Sequence, residues 1–238
     1  MRRNMFVKRL LANSSHRRFL CYLQPFVKQT KYLHSAPKGL KHSNLLPFSD
    51  FLTDTHGRQH DYLRISLTEK CNLRCQYCMP EEGVDLTEKG KLLSSEELVR
   101  IAKIFVDEGV KKIRLTGGEP LVRPDVIDLV AKLKALEGLE TVAITTNGIV
   151  LAKKLDALKN AGLDMINLSL DTLEEKKYAF ITRRPMAGFH KVMNSINKAI
   201  GYGYAPLKIN CVVMRGLNED EVTNFVGWTK DKPIGWFI

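Results

Sequence analysis

The chain has 238 residues, with 37 Lys and Arg against 26 Asp and Glu, for a formal charge of +11 at pH 7. Residues 1–49 hold ten of those basic residues and no acid, so residues 50–238 carry 27 against 26 and the basic balance argues nothing about nucleic acid. No apolar run approaches the roughly 18 residues of a membrane helix, and five cysteines, three of them clustered, do not make a disulfide framework.

Residues 1–49, rich in Arg, Lys and Ser and free of acid, read as a mitochondrial transit peptide and disordered linker leading to the matrix. Drawn as a helix, Phe6, Val7, Leu10 and Leu11 fall mostly on one face, opposite Arg2, Lys8 and Arg9. A secretory signal fits poorly, because Gln24-Pro25 cuts the short apolar run Phe19 to Leu23. Residues 50–238 are enough for one domain with a substantial core.

From Tyr62 onward, five β-rich runs alternate with helical periodicity. The first, Leu63 to Thr68, leads directly into Cys71-Asn-Leu-Arg-Cys75-Gln-Tyr-Cys78. Ser94 with Glu97 is a capping box for a helix carrying Leu98, Ile101, Ala102 and Phe105, and Gly109 suits its end. The second run, Lys112 to Thr116, stops at Gly117-Gly118-Glu119-Pro120, and Pro124 suits the first turn of the next helix. Val142 to Thr146, Met165 to Asp171 and Leu207 to Met214 are the remaining runs. Their helices lie near Val150 to Asn160, Phe189 to Ile200 and Glu219 to Thr229. Repeats of this kind predict an α/β fold with a parallel sheet and right-handed crossovers.

Strands buried on both faces read as continuous apolar runs, whereas these alternate. Arg64, Ser66 and Thr68 share a face, as do Arg114 and Thr116, Thr145 and Asn147, Asn167, Ser169 and Asp171, and Lys208 and Asn210. Leu63, Ile65, Leu67, Ile113, Leu115, Ile144, Ile166, Leu168, Ile209 and Cys211 would pack under the helices. One polar, basic sheet face suits a sheet curled around a ligand cavity better than a flat one.

Three thiols in eight residues can hold three corners of a cubane iron-sulfur cluster and leave the fourth iron open. Zinc with an outside fourth ligand and a redox dithiol at Cys75 and Cys78 are the alternatives. Zinc sites usually draw four ligands, and a dithiol leaves Cys71 without a role. The two glycines after the second strand would let a ligand approach the backbone closely. His56, His60 and His190 show no ligand spacing.

Cys-x3-Cys-x2-Cys with Tyr77 before the last cysteine, and the Gly-Gly-Glu-Pro strand end, resemble the radical S-adenosylmethionine superfamily. Within it, Leu63-Arg-Ile-Ser-Leu-Thr-Glu-Lys-Cys-Asn-Leu-Arg-Cys75, Lys112-Ile-Arg-Leu-Thr-Gly-Gly-Glu-Pro-Leu121, Thr145-Thr-Asn-Gly148, Asn167-Leu-Ser-Leu-Asp171 and Lys208-Ile-Asn-Cys-Val-Val213 resemble GTP 3′,8-cyclase of molybdenum cofactor biosynthesis. The resemblance implies a partial (β/α)6 TIM-like barrel, here of about five β/α units with the sixth strand truncated. It implies a [4Fe-4S] cluster on Cys71, Cys75 and Cys78, and S-adenosylmethionine contacts from Tyr77, Gly118 and Ser169. It also implies GTP contacts from Arg64, Arg114, Thr145 and Lys208. No side chain is expected to be catalytic beyond the cluster and S-adenosylmethionine, and the implied partners are GTP and an electron donor, with a homodimer left open.

The family also carries a C-terminal region with three more cysteines for a second cluster, which this sequence lacks. Residues 50–238 are therefore expected to be the core domain alone, with one cluster. The alternative expectation is a non-catalytic product that binds one cluster or pairs with a full-length subunit.

Overall fold

The computed structural model describes residue 50 and residues 52–238, so the transit-peptide reading of residues 1–49 lies outside the described residues. The described residues fall into two units, one ending at Arg58 and the other Gln59–Ile238. In the first, the Asp54 carboxylate accepts the backbone N–H groups of His56 and Arg58 and pairs with the Arg58 guanidinium at 2.7 Å. This closes a tight turn.

The second unit is a six-stranded parallel sheet in sequential order: β1 (Tyr62–Ser66), β2 (Lys112–Thr116), β3 (Thr141–Thr146), β4 (Met165–Ser169), β5 (Leu207–Asn210) and β6 (Ile234–Phe237). Six helices lie between the strands: α1 (Ser95–Asp107), α2 (Val126–Lys134), α3 (Leu151–Asn160), α4 (Glu175–Thr182), α5 (Ala187–Gly201) and α6 (Val222–Thr229). Each crossover contains a helix, as parallel pairing requires. The capping box forms as expected: Ser94 Oγ accepts from Glu97 N and Glu97 Oε2 accepts from Ser94 N.

The period-2 reading of the strands is borne out on the helix side. Ile113, Leu115, Ile144, Leu168 and Ile209 are fully buried, together with Leu129, Leu133, Leu155, Val192 and Ile196 of the helices. This apolar layer is the core, and it leaves the opposite strand face to the polar residues. Helix α3 packs against α5, where the Ser195 hydroxyl donates to Gly148 O at 2.7 Å and accepts Ala152 N at 3.0 Å.

Two features differ from the sequence expectations. Strands β4 and β5 end early, at Ser169 and Asn210. Beyond them the Asp171 carboxylate accepts Val212 N at 2.9 Å, so a side chain takes the place of the next ladder carbonyl. Helix α4 has no apolar stripe to announce it: Tyr178 and Ile181 are buried while Phe180 between them is exposed. The sixth strand, expected to be short, is present over four residues: Ile234–Phe237 pairs with Leu207–Asn210 in parallel register. Its anchor is Trp236, stacked on buried Phe225 of α6 with ring centroids 5.3 Å apart. The sheet edges are β1 and β6, a partial barrel.

Phe225 is 1% exposed and carries that stack. Phe225→Ala should cost about 3–5 kcal/mol, the usual range for emptying a buried aromatic site. Urea unfolding of both chains measures it, and a loss below about 1 kcal/mol would show that β6 is not anchored there.

Candidate functional site

In a parallel sheet all C-terminal strand ends meet at one rim. Here the rim encloses a cavity of about 190 Å³ where Cys71, Cys75 and Cys78 face Gly117, Gly118 and Ser169. The cysteine loop after β1 is fastened to the end of β2: Leu67 N donates to Thr116 O at 2.9 Å, Gly118 N to Thr68 O at 2.7 Å, and Glu119 N to Lys70 O at 2.9 Å. On its other side Arg74 N donates to Thr182 O at 3.0 Å and Gln76 N to Ile181 O at 2.9 Å. The loop is thus bound to β2 and to the last turn of α4.

The two glycines have a use the sequence did not show. A Cβ on Gly117 would stand 2.5 Å from Thr68 O, and one on Gly118 would stand 2.5 Å from Glu69 O and 2.6 Å from Lys70 O. Gly117 also has φ +141°. Only glycine lets these two backbones touch, so the pair both admits the cysteine loop and lines the cavity wall.

All three thiols are free; Cys71 and Cys75 are half-buried and Cys78 is exposed. Burial pushes the Cys71 thiol up, and the Cys75 thiol up to about 12. Within the protein alone these sulfurs hold their protons, and a bound cationic centre that takes thiolates reverses that preference. Among the described residues no three His, Cys, Asp or Glu side chains converge on a single metal ion. Three sulfur donors spread around one cavity suit a cluster that binds a separate iron at each corner.

Several polar groups organise this rim. Tyr77 Oη donates to Asp171 Oδ2 at 2.8 Å, laying the aromatic of the cysteine loop against the end of β4. Asp171 is 8% exposed, and burial raises its carboxyl above the usual range. Asn147 Nδ2 donates to Asn72 Oδ1 at 2.7 Å and lies 3.9 Å from Cys71 Sγ. Glu119 is 1% exposed and accepts Thr146 Oγ1 at 2.8 Å, Asn147 N at 2.7 Å and Leu121 N at 3.0 Å, so it ties the ends of β2 and β3 together. The sequence reading gave Glu119 and Asn147 no role of their own. A carboxylate three residues past a strand end, ahead of a Pro-initiated turn, was the available signal.

The cations of the sheet face lie along the strands from that cavity. Arg64 stands opposite Arg114 in the β1–β2 register, and Lys208 opposite Asn167 in the β4–β5 register. Of the four residues tied to GTP in the sequence, Thr145 lines the cysteine cavity and Arg64, Arg114 and Lys208 do not. Arg114 reaches toward it, its Nη1 3.4 Å from Thr145 Oγ1, with its guanidinium 5.8 Å from the Tyr62 ring centre. Lys208 Nζ sits 5.1 Å from the Phe237 ring centre. Arg114 is 6% exposed and Asn167 7%, yet Arg114 Nε and Asn167 Oδ1 have no hydrogen-bond partner. Burial lowers the Arg114 pKa. A buried guanidinium with an unused donor, next to a basic row, calls for an anion.

The Radical SAM superfamily model matches residues 65–229. This chain belongs to the radical SAM superfamily. That superfamily pairs a [4Fe-4S] cluster with S-adenosylmethionine, and the sulfur donors here fit such a cluster. Molybdenum cofactor biosynthesis protein 1 of Bos taurus is 62% identical over 200 residues, covering 84% of this chain and 31% of that protein. The mitochondrial GTP 3′,8-cyclase of Arabidopsis thaliana is 61% identical over 188 residues, covering 79% of this chain and 48% of that protein. The chain therefore spans about a third to a half of the length of these relatives. Among solved structures, HydG, a maturase of the [FeFe]-hydrogenase, is 14% identical with a TM-score of 0.56, covering 72% of this chain and 39% of that one. Native anSMEcpe with bound AdoMet is 20% identical with a TM-score of 0.55, covering 74% and 51%. Both share the fold.

Glu119→Gln keeps size and shape, but either amide orientation turns an NH₂ toward a backbone N–H, of Asn147 or of Leu121. One buried donor then faces a donor, so stability should fall by about 1–3 kcal/mol. Denaturant unfolding of the two chains checks this; equal midpoints would mean that Glu119 is protonated and already donating.

Proposed function

We propose that this chain is the radical S-adenosylmethionine portion of a GTP 3′,8-cyclase of the mitochondrial matrix, acting in molybdenum cofactor biosynthesis. The product would be (8S)-3′,8-cyclo-7,8-dihydroguanosine 5′-triphosphate. One observation carries the reading: the strand-end cavity that gathers three free thiols adjoins, on the same sheet face, a buried guanidinium with an unused donor. A sulfur-held centre and an anionic substrate are both provided for on one face, and the names of the relatives supply the reaction.

In this reading Cys71, Cys75 and Cys78 would hold one [4Fe-4S] cluster, with S-adenosylmethionine bound beside it. Tyr77, Gly118 and Ser169 hold S-adenosylmethionine, Gly118 through its backbone. When bound, the two cofactors would supply radical hydrogen abstraction from the ribose of GTP, with the electron coming from an external donor. Arg64, Arg114 and Lys208 bind phosphate oxygens, and Arg114 can do so in a bidentate way. Thr145 lines the cavity between thiols and cations, where the substrate would bridge them. Leu73 and Ile181, both buried and both in the cavity wall, keep water from the reacting atoms. Cys211 is not a further ligand here: it is 4% exposed and its Sγ lies 3.7 Å from Asp171 O.

Anaerobic reconstitution of the full chain with iron and sulfide should load about four irons, one cubane's worth. With dithionite, S-adenosylmethionine and GTP it should form 5′-deoxyadenosine and a cyclised nucleotide. Failure of the wild-type chain to hold iron would overturn the reading, and 5′-deoxyadenosine without cyclisation would confine it to radical generation. Cys75→Ala should abolish iron retention. Lys208→Ala should leave the iron count unchanged and weaken GTP binding roughly 10–100-fold, the loss of one charge-assisted contact. Calorimetry with GTP reads that, and unchanged affinity would remove Lys208 from the site.

A further inference from the structure

Three arginines surround the cysteine loop, and neither the strand-face pattern nor the proposed ligand contacts use them. Arg74 lies within the loop, and its Nη1 donates to Cys71 O and Leu73 O, both at 2.8 Å. Arg183 Nη1 donates to Arg74 O and Met79 O, both at 3.3 Å, and Arg184 Nε donates to Asn72 O at 2.8 Å. Five carbonyls between Cys71 and Met79 are thereby taken by guanidinium groups, two of these groups arriving from more than a hundred residues away. A short loop with few ladder bonds of its own is held in shape from outside.

The backbone that delivers Arg183 and Arg184 is unusual. Arg183 follows α4 with φ +50° and is the one non-glycine residue with positive φ among the described residues. A glycine would take this left-handed C-cap without strain, and strained backbone persists where surrounding contacts require it. The turn sends two consecutive guanidiniums to the same loop while the preceding Ile181 and Thr182 carbonyls accept the loop's N–H groups. Among the described residues, the hydrogen bonds of all three arginines go to carbonyls and none of them pairs with a carboxylate. Three positive charges are therefore held on the backbone of the loop that carries the thiols, while the Glu119 and Asp171 carboxylates act on Cys71 and Cys75 from the rim.

We propose that Arg183 and Arg184 are positioning residues for the cluster, clamping the cysteine loop by its carbonyls while their unpaired charge eases one-electron reduction of the bound centre. The inference rests on the cluster assignment above. The electrostatic step is simple: the oxidised cluster takes one electron from an external low-potential reductant, and a nearby positive charge stabilises the product, which is more negative by one.

The test uses the full chain and three variants, Arg184→Gln, Arg184→Lys and Arg183→Gly. Each is reconstituted, assayed for iron, challenged with a ferrous chelator, and titrated with dithionite while the reduced cluster is followed by electron paramagnetic resonance. Arg184→Gln should lower the reduction equilibrium constant about tenfold, a shift of about −59 mV for a one-electron couple, and should lose iron faster. Arg184→Lys keeps the charge, so its potential should stay within that shift of wild type while iron loss accelerates several-fold. Arg183→Gly relieves the backbone, so the apo chain should unfold at an equal or higher denaturant concentration, yet release iron faster than wild type. A merely structural role would not separate these readouts. If wild type holds about four irons and none of the variants changes potential or iron release, the clamp is wrong and the cluster reading stands. If wild type holds no iron, both fall. Should Arg184→Gln not fold, the other two variants decide the matter.

Discussion

The approach of the cysteine loop to the end of β2 is the constraint on which the rest of the site depends. It joins backbone to backbone through Gly118 N to Thr68 O and Glu119 N to Lys70 O, at 2.7 and 2.9 Å, with no room for a β-carbon on either glycine. From that junction the other parts follow. The cysteines face the cavity because the loop is held on one side by β2 and on the other by the last turn of α4. Glu119, placed by the same junction, draws in the end of β3 through Thr146 and Asn147, and Asn147 in turn reaches back to Asn72 beside the first cysteine. A closed ring of contacts of this kind gives rigidity that no single hydrogen bond could supply, because each net bond contributes only about 1 kcal/mol.

The sheet face below the rim obeys a second constraint. Apolar residues on the helix side of β2 to β5 are buried, and the alternation of side chains forces the intervening residues to the other face. In an ordinary doubly covered sheet those positions would be apolar. Here they are Arg64, Arg114, Thr145, Asn167 and Lys208, and two of them are more than nine-tenths buried with a polar atom unused. Such atoms are costly in a finished interior, which is why an anionic ligand is the natural complement. The cations along this face and the arginines bound to the carbonyls of the cysteine loop both add positive charge, set against the Glu119 and Asp171 carboxylates at the rim.

Much of this was legible in the chain itself. The strand and helix alternation, the capping box at Ser94 and Glu97, and the polar face were all readable, because periodicity and capping are local properties. Helix α4 was not, since its buried residues Tyr178 and Ile181 are separated by exposed Phe180 and make no stripe. The short sixth strand was expected from the resemblance, but its anchor, Trp236 stacked on Phe225, is a contact between elements that sequence spacing cannot show. The early ends of β4 and β5 were equally hidden, since the Asp171 side chain takes over the backbone partner of Val212 only once the strands lie side by side.

What the sequence by itself determined was the chemistry available: three thiols in eight residues, two glycines at a strand end, and cations on alternate strand positions. Those are matters of residue type and spacing, and they survive without coordinates. Tertiary structure alone decided which of these groups share one space. It placed the thiols, Gly118, Ser169 and Thr145 around a single cavity, left Arg64, Arg114 and Lys208 farther along the same face, and turned the glycine pair into a seat for the cysteine loop. It also brought Arg183 and Arg184 across more than a hundred residues to the carbonyls of that loop. The reason is physical: hydrogen bonds and close contacts act over a few ångströms of space, and only the packing of helices on the sheet converts distance along the chain into that proximity.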